Sequence, residues 1–189
     1  MMKVLETELP GVLIIEPHIF NDARGYFYET FQAERYAQHG IKENFVQDNF
    51  SSSVKNTVRG LHYQLEHAQG KLVFVTRGHV LDVIVDIRVG SPAFGKAITI
   101  DLSEDNHRQV YIPQGLAHGF CVLSEHANFL YKCTDYYYPA AEFGVCWNDP
   151  DLQIAWPAIA NPLLSPKDAL YPRLKDIDKA QLPIFLNNR

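Results

Sequence analysis

The middle of the chain is a succession of short apolar runs separated by polar turns. Glycine, proline and small polar clusters interrupt these runs at regular intervals, a pattern typical of β-sandwiches and barrels. We therefore predict an all-β fold, a jelly-roll barrel with an interior wide enough for a small ligand and a few short peripheral helices. The predicted strands cover residues 72–76, 80–87, 97–102, 108–112, 119–123 and 128–134.

The two ends of the chain predict further strands and short helices. An apolar run over 4–20 is interrupted by Pro10-Gly11, and 21–25 has the composition of a turn. Alternation over 45–50 predicts a strand that carries Gln47 and Asn49 on one face. The other predictions are a strand over 26–31, a helix over 32–39 ended by Gly40, a polar loop over 51–56 and a helix start capped by Ser165 with Asp168 at its third position.

A turn signal at Arg77-Gly78 predicts a hairpin between two of the central strands. In a two-residue turn, Thr76 pairs with His79 and Val73 pairs with Asp82. One face of the hairpin then carries Lys71, Val73, Asp82 and Ile84, and the other is entirely apolar. For Asp82 and Asp86, a solvated outer face is an equally good interpretation.

Charge and cysteine content limit the function classes. The formal net charge of -5 argues against a nucleic-acid or anionic-membrane binder, so a phosphate site must be a local group of Arg and Lys. The sequence lacks both the apolar run of a signal peptide and the roughly 20 apolar residues of a membrane span. Cys121, Cys133 and Cys146 are far apart and odd in number, which predicts buried free thiols in a cytoplasmic protein.

Candidate chemistry is concentrated in Arg59-Gly60-Leu61-His62-Tyr63-Gln64 and the following Gly70-Lys71. An imidazole, a guanidinium and an ammonium so close together suit an anionic substrate and carbanion chemistry. Arg59 and His62 have opposite strand parity, so both reach one pocket only if the backbone is irregular at Gly60.

Other interpretations of these residues stay open at this point. A single strand histidine is more often a hydrogen-bonded structural residue than a base. A metal site needs an HxH pair plus a third ligand, but Gln64 stands two residues after His62, and Phe120 stands two residues after His118.

Several ordered segments resemble the dTDP-4-dehydrorhamnose 3,5-epimerase family, and the resemblance runs from about residue 3 to residue 175. It implies a cupin-type jelly roll that works as a homodimer without metal or cofactor. We expect one domain over 1–189, with dimer-forming strands and a helix in 1–50, the barrel core in 51–150 and a C-terminal extension in 151–189. The matching segments are Arg59 to Gln64, Gly70-Lys71, Ile112 to Phe120, Tyr131 to Tyr137, Glu142 to Pro150 and Leu164 to Asp168.

The resemblance also implies a role for individual residues. His62 is implied as the base, oriented by Asp168, with Tyr131 returning a proton from the opposite side and Lys71 stabilising the enolate oxygen. The N-terminal segment that carries Arg24, Phe27 and Glu29 is expected to reach the partner subunit's site. The residues implied to bind the diphosphate are Arg24, Arg59 and Lys167. Those implied to bind the nucleotide and sugar are Glu29, Gln47, Asn49, His118 and Glu142. Phe27 and Tyr137 are implied to make aromatic contacts with the base or the sugar. Tyr138, where a small residue is common, and the tail past 175 depart from the family pattern.

The implied substrate is dTDP-4-keto-6-deoxy-D-glucose, and the product is dTDP-4-dehydro-L-rhamnose in dTDP-rhamnose biosynthesis. Carbons 3 and 5 both flank the C4 ketone, so one cation near that oxygen serves both epimerisations. Four alternatives stay open: epimerisation at one carbon only, a 3,4-ketoisomerase, a sugar- or nucleotide-binding barrel without activity, and a metal-dependent oxygenase.

Overall fold

The computed structural model describes residues 2–186, and it confirms the all-β prediction. Two antiparallel sheets pack face to face, and a small hairpin lies near the N-terminus. The six-stranded sheet has the order β1-β2-β10-β7-β12-β5, the five-stranded sheet has the order β13-β6-β11-β8-β9, and β3 pairs with β4. Within the described residues the strands are β1 (Lys3–Glu6), β2 (Leu13–Glu16), β3 (Phe20–Asp22), β4 (Gly25–Phe27), β5 (Gln47–Val54), β6 (Val58–Gln64), β7 (Lys71–Arg77), β8 (His79–Asp86), β9 (Ala97–Ser103), β10 (Gln109–Ile112), β11 (Leu116–Val122), β12 (His126–Cys133) and β13 (Glu142–Gly144).

The main hydrophobic core lies between the two large sheets. Val73 of β7 and Phe129 of β12 meet Ile84 of β8 and Phe120 of β11 there, all nearly inaccessible to solvent. The outer faces are also covered, because a second cluster joins Val83 and Val85 to the C-terminal segment. Burial on both faces explains why the central strands are continuously apolar in the sequence.

Helices are short and peripheral, as predicted. The α-helix α1 (Ala33–Ala37) begins after Gln32, whose side chain accepts a hydrogen bond from the Arg35 N–H, and Gly40 follows with φ +91°. No helix in 2–186 is long and apolar enough to cross a membrane. The 3₁₀ helices of the described chain are Pro139–Ala141, Pro150–Leu152, Asp168–Leu170, Leu174–Asp176 and Lys179–Gln181.

The predicted hairpin at Arg77-Gly78 is wrong. Strand β7 pairs with β10 and β12, whereas β8 pairs with β9 and β11, so the chain crosses from one sheet to the other at Gly78. Alternating side chains reach the core equally well from paired strands or from facing sheets, and the sequence pattern does not separate the two. The prediction that Val73 and Ile84 share one face is right, because both lie in one core cluster.

Other local predictions need correction. Residues 51–54 of the predicted polar loop 51–56 are strand instead, because β5 continues to Val54 and pairs with β12 along its length, and only 55–56 form a turn. Of the predicted strand over 26–31, only Tyr26 and Phe27 belong to a strand, as the last two residues of β4. The solvated interpretation of Asp82 and Asp86 is also wrong, since both are fully buried. All three cysteines are free thiols, but Cys146 is only partly buried.

Candidate active site

Strand β6 leaves regular geometry at Gly60, as the parity of Arg59 and His62 predicted. Gly60 has φ +118°, and the peptide bond between Gly60 and Leu61 is cis. Opposite β11, Arg59 pairs with Phe120 and His62 pairs with His118, so the register shifts between them. An added Cβ at Gly60 would lie 2.6 Å from the Gly119 Cα, and only glycine permits this close approach.

A cavity of about 350 Å³ opens at the end of the barrel where β6, β7 and β12 meet. Polar side chains from both sheets and from the loop before β13 line it. Predicted site residues in its wall are Gln47, Asn49, His62, Lys71, Tyr131, Tyr137, Glu142 and Lys167.

His62 forms the central hydrogen bond of this cavity. Its Nε2 lies 2.6 Å from Asp168 Oδ1, and Asp168 is 4% exposed. The N–H of Asp168 donates to Ser165 Oγ at 3.1 Å, as it would to a capping serine, but the 3₁₀ helix begins only at Asp168 with Lys167 as its N-cap, so the predicted helix start is wrong. Burial alone raises the pKa of Asp168, but hydrogen bonds with His62 and Ser165 outweigh it and hold the pKa below its usual value. An ionised carboxylate only accepts, so Nε2 carries the proton of neutral His62 and Nδ1 keeps its lone pair.

Lys71 and Tyr131 lie on neighbouring strands of the opposite sheet. Desolvation lowers the pKa of Lys71, and the nearby Cys133, Glu142 and Asp82 oppose that shift. Burial raises the pKa of Tyr131 to about 12, so its phenol keeps its proton at neutral pH. The cavity therefore holds a cation and a proton donor across from the imidazole.

Glu142 links His62 to the cavity rim. Its Oε1 accepts from Lys167 Nζ at 2.5 Å and from the Tyr171 hydroxyl at 3.2 Å, and lies 3.9 Å from His62 Nε2. Burial raises the pKa of Glu142, but hydrogen bonds with Lys167 and Tyr137 and the charge of His62 bring it below its usual value. The Tyr171 ring also meets the His62 ring edge-on, with centroids 5.7 Å apart. No sequence signal pointed to Tyr171.

His118 lies behind this cavity rather than in its wall. It is buried, and its Nε2 lies 2.8 Å from Asp82 Oδ1. Burial lowers the pKa of His118, and the Asp82 carboxylate opposes that shift. Asp82 Oδ2 has no hydrogen-bond partner among the described residues. The predicted contact between His118 and the ligand stays a prediction.

The remaining predicted residues lie outside the cavity. Arg59 is exposed, and its Nε donates to Ser53 Oγ at 3.1 Å. Arg24 pairs with Asp22 on the exposed β3–β4 hairpin, and Phe27 is 66% exposed there. Glu29 is paired with Arg35. One copy of the chain does not bring these N-terminal residues to its own cavity.

Metal coordination was the other open interpretation of the histidines. In residues 2–186, no three His, Cys, Asp or Glu side chains are arranged to hold a metal ion.

Fold and cavity together define a class of protein: a jelly roll whose cavity brings together a histidine–aspartate pair, a lysine and a tyrosine. The sequence model of the family described as dTDP-4-dehydrorhamnose 3,5-epimerase matches residues 6–176. A protein named dTDP-4-dehydrorhamnose 3,5-epimerase in Shigella flexneri is 51% identical over 179 residues, which cover 94% of this chain and 98% of that protein. This chain belongs to the dTDP-4-dehydrorhamnose 3,5-epimerase family.

Solved structures agree with this assignment. A dTDP-6-deoxy-D-glucose-3,5-epimerase from Legionella pneumophila, in complex with dTDP-4-keto-L-rhamnose, superposes with a TM-score of 0.96 at 52% identity, covering 98% of this chain and 100% of that one. A 3'-monoepimerase from Streptomyces bikiniensis, in complex with dTDP-quinovose, superposes with a TM-score of 0.89 at 35% identity, covering 94% and 91%. The cupin-type jelly roll is therefore the fold of this chain.

Proposed function

We propose that this chain epimerises dTDP-4-keto-6-deoxy-D-glucose at C3 and C5 through an enolate. The product is dTDP-4-dehydro-L-rhamnose, an intermediate of dTDP-rhamnose biosynthesis. One observation carries the proposal: the His62–Asp168 pair opens on the same cavity as Lys71 and Tyr131. A base, an enolate-stabilising cation and a second proton donor are the groups that inversion at carbon requires.

His62 acts as the base in this proposal. Asp168 holds Nε2–H, so Nδ1 is the nitrogen that removes the proton next to the C4 ketone. General base catalysis contributes roughly 10²–10⁴-fold. Asp168 also stabilises the imidazolium that forms, because its carboxylate is ionised at neutral pH.

Lys71 receives the negative charge that develops on the ketone oxygen. Deprotonation at C3 and at C5 gives enolates that share this oxygen, so one ammonium serves both steps. Burial increases the strength of the interaction because the local dielectric is low.

Tyr131 returns the proton from the other face of the sugar. It lies on β12 of the six-stranded sheet, whereas His62 lies on β6 of the five-stranded sheet. A donor and an acceptor on opposite walls suit inversion. Its raised pKa keeps the phenol protonated until the enolate forms.

The nucleotide is held at the rim. Lys167 and Arg59 supply positive charge for the diphosphate, Gln47 and Asn49 supply amides, and Tyr137 supplies an aromatic face for the thymine. Glu142 holds Lys167 in place. His118, buried behind the cavity wall and paired with Asp82, supports that wall next to the sugar.

A second copy of the chain completes the site in this proposal. We propose a homodimer that exchanges N-terminal segments, so that Arg24, Phe27 and Glu29 serve the partner's cavity. The aromatic exposure of the β3–β4 hairpin supports it, because Phe20 and Tyr26 are each 56% exposed.

The cofactor requirement, the domain extent and the compartment complete the proposal. The reaction moves protons without net oxidation, so it requires no redox cofactor. We propose that residues 1–189 form one epimerase domain and that the enzyme works in the cytoplasm, where the free thiols of Cys121, Cys133 and Cys146 stay reduced.

Proton NMR of dTDP-4-keto-6-deoxy-D-glucose in D₂O with the purified protein tests the proposal. We expect deuterium at both C3 and C5 and a product of L configuration. The likeness to a 3'-monoepimerase favours a second candidate, epimerisation at one carbon, for which deuterium and inversion would be confined to that carbon. A ketone at C3 would indicate a ketoisomerase, and absence of exchange would contradict any epimerase.

A further inference from the structure

Gln64 lies on the same strand and face as His62, but the chemistry described above does not use it. It is the last residue of β6 and is only 5% exposed. A buried amide has to satisfy two donors and one acceptor. Its hydrogen bonds therefore indicate what it does.

All of these hydrogen bonds go to the backbone on either side of the cavity rim. Nε2 donates to the carbonyl of His67 at 2.7 Å and to that of Tyr136 at 3.2 Å, and Oε1 accepts from the N–H of Tyr138 at 2.8 Å. Carbonyls only accept and an N–H only donates, so these partners fix the orientation of the amide.

Residues 136–138 have no helix or strand of their own to hold them. Their three successive N–H groups each donate to a side chain: that of Tyr136 to Asp135 Oδ1 at 2.7 Å, that of Tyr137 to Gln47 Oε1 at 3.0 Å, and that of Tyr138 to Gln64. Gln64 thus binds the residue before Tyr137 and the residue after it.

Tyr137 is the aromatic residue of this loop that lines the cavity. It is 46% exposed, so it lies at the boundary between the cavity and solvent. The loop is also stacked from outside, because the rings of His67 and Tyr138 are parallel with centroids 3.9 Å apart. His67 is itself one of the residues that Gln64 holds.

We propose that Gln64 is a positioning residue that fixes the 136–138 loop and so places Tyr137 over the nucleotide. This inference rests on the proposed function, since it assigns the nucleobase to Tyr137. It predicts that Gln64 contributes to ligand affinity and not to proton transfer. The strand that carries the base therefore also sets the aromatic wall of the binding site.

A double-mutant cycle on dTDP binding tests this inference. We expect Gln64→Met, which keeps the volume but loses the hydrogen bonds, to raise the Kd for dTDP and the KM for the keto sugar about tenfold. The kcat should stay within about threefold, because His62 is untouched. In a Tyr137→Ala background, the same change should alter the Kd less than about twofold, because both act through one ring.

Gln64→Glu adds a readout that a purely structural role would not give. A carboxylate accepts from Tyr138 but repels the two carbonyls, whereas the protonated acid donates to one of them. Burial raises the pKa of such a carboxyl. The ratio of variant Kd to wild-type Kd should therefore fall as the pH is lowered from about 8 to about 5.5.

Gln109 provides the matched control. It is also a buried glutamine, with Nε2 donating to the Thr30 carbonyl and Oε1 accepting from Tyr36, but it lies away from the cavity. Gln109→Met should lower the melting temperature, and any change in the Kd for dTDP should be equal in the wild-type and Tyr137→Ala backgrounds, because Gln109 binds the Thr30 carbonyl and not the 136–138 loop. For Gln64→Met, equal Kd increases in the two backgrounds would overturn the inference, as would a loss of kcat at constant KM. Because dTDP binding needs no turnover, an inactive wild-type protein would contradict the proposed function alone.

Discussion

Two histidine–aspartate pairs lie side by side on the five-stranded sheet, and they differ in where their carboxylates come from. His62 and His118 are register partners on β6 and β11. The His62 side chain is 28% exposed and pairs with Asp168 of the C-terminal segment, whereas that of His118 is 7% exposed and pairs with Asp82 of the neighbouring strand β8.

We infer from this difference that access to the cavity, rather than the histidine–aspartate pair alone, distinguishes the catalytic histidine. His62 has a cavity on one side and a carboxylate on the other, so it can exchange a proton with a ligand. His118 and Asp82 are sealed among core residues such as Phe129, which stacks on the His118 ring with centroids 6.1 Å apart. We interpret the open pair as catalytic and the sealed pair as the support of the wall behind it.

Gly60→Ala should disrupt both histidine–aspartate pairs, and it has the largest expected effect. The added Cβ would lie 2.6 Å from the Gly119 Cα and 2.7 Å from the His118 carbonyl, in a backbone conformation that disfavours side chains. We expect a loss of about 4 kcal/mol or more in the free energy of unfolding, measured in urea. Epimerisation should fall with it, because His62 loses its register.

Gly90→Ala separates the cost of the close approach between β6 and β11 from the cost of the positive-φ backbone conformation. Gly90 also has positive φ, at +87°, but nothing lies within 4 Å of an added Cβ. It should cost only about 1–2 kcal/mol, the penalty of the backbone conformation. Equal losses at the two glycines would mean that the close approach of β6 and β11 is unimportant.

Asp168→Asn should affect the reaction more than the fold. The amide no longer fixes the His62 tautomer or stabilises the imidazolium, so we expect kcat to fall about 100-fold. The melting temperature should change little, because the hydrogen bond to Ser165 involves the backbone N–H. Steady-state kinetics and thermal unfolding of one preparation check both parts. Wild-type kcat in this variant would remove Asp168 from the mechanism.

Asp82→Asn should affect the fold more than the reaction. It replaces a buried, charge-assisted hydrogen bond to His118, so we expect a loss of about 2 kcal/mol in unfolding free energy. Turnover per folded molecule should fall less than in Asp168→Asn. A larger fall would mean that the sealed pair takes part in catalysis.

The smallest expected effect concerns the charge of Lys71, and it should be visible in the pH profile of kcat/KM. Burial lowers the pKa of Lys71 below its usual 10.5, so the ammonium loses its proton as pH rises through that lowered value. The kcat/KM should fall on this alkaline side, because a neutral amine does not stabilise an enolate. Tyr131 does not compete for this limb, since its pKa is about 12.

Lys71→Arg is the matched variant for that profile. A guanidinium stays charged across the accessible range, so the alkaline fall should move to higher pH even if the maximum rate is lower. An unchanged alkaline limb in Lys71→Arg would assign it to another group.

The order of the strands and the residues that share a face could be predicted from the sequence. The alternation of side chains along a strand indicates which of them lie on the same face. The irregularity at Gly60 could be predicted too, from the opposite parity of Arg59 and His62, although Arg59 lies outside the cavity that His62 lines. The crossing at Gly78 could not, because facing and pairing strands give the same pattern.

The contacts made by the C-terminal segment could not be predicted from the sequence either. Tyr171 reaches His62 and Glu142 through a fold-back that no local periodicity specifies. The local pattern placed Asp168 near a helix start, but its role beside His62 was implied only by the family resemblance. Likewise, strand parity left Asp82 equally open to the interior or to solvent, and its hydrogen bond to His118 depends on the register between β8 and β11.

The most direct test of the central claim is the rate of deuterium incorporation into the keto sugar by His62→Ala. The substrate should be saturating, with dTDP binding measured on the same sample as proof of an intact site. The open-pair account predicts that exchange at both C3 and C5 falls about 10²–10⁴-fold while dTDP still binds. Exchange at either carbon at the wild-type rate would contradict it.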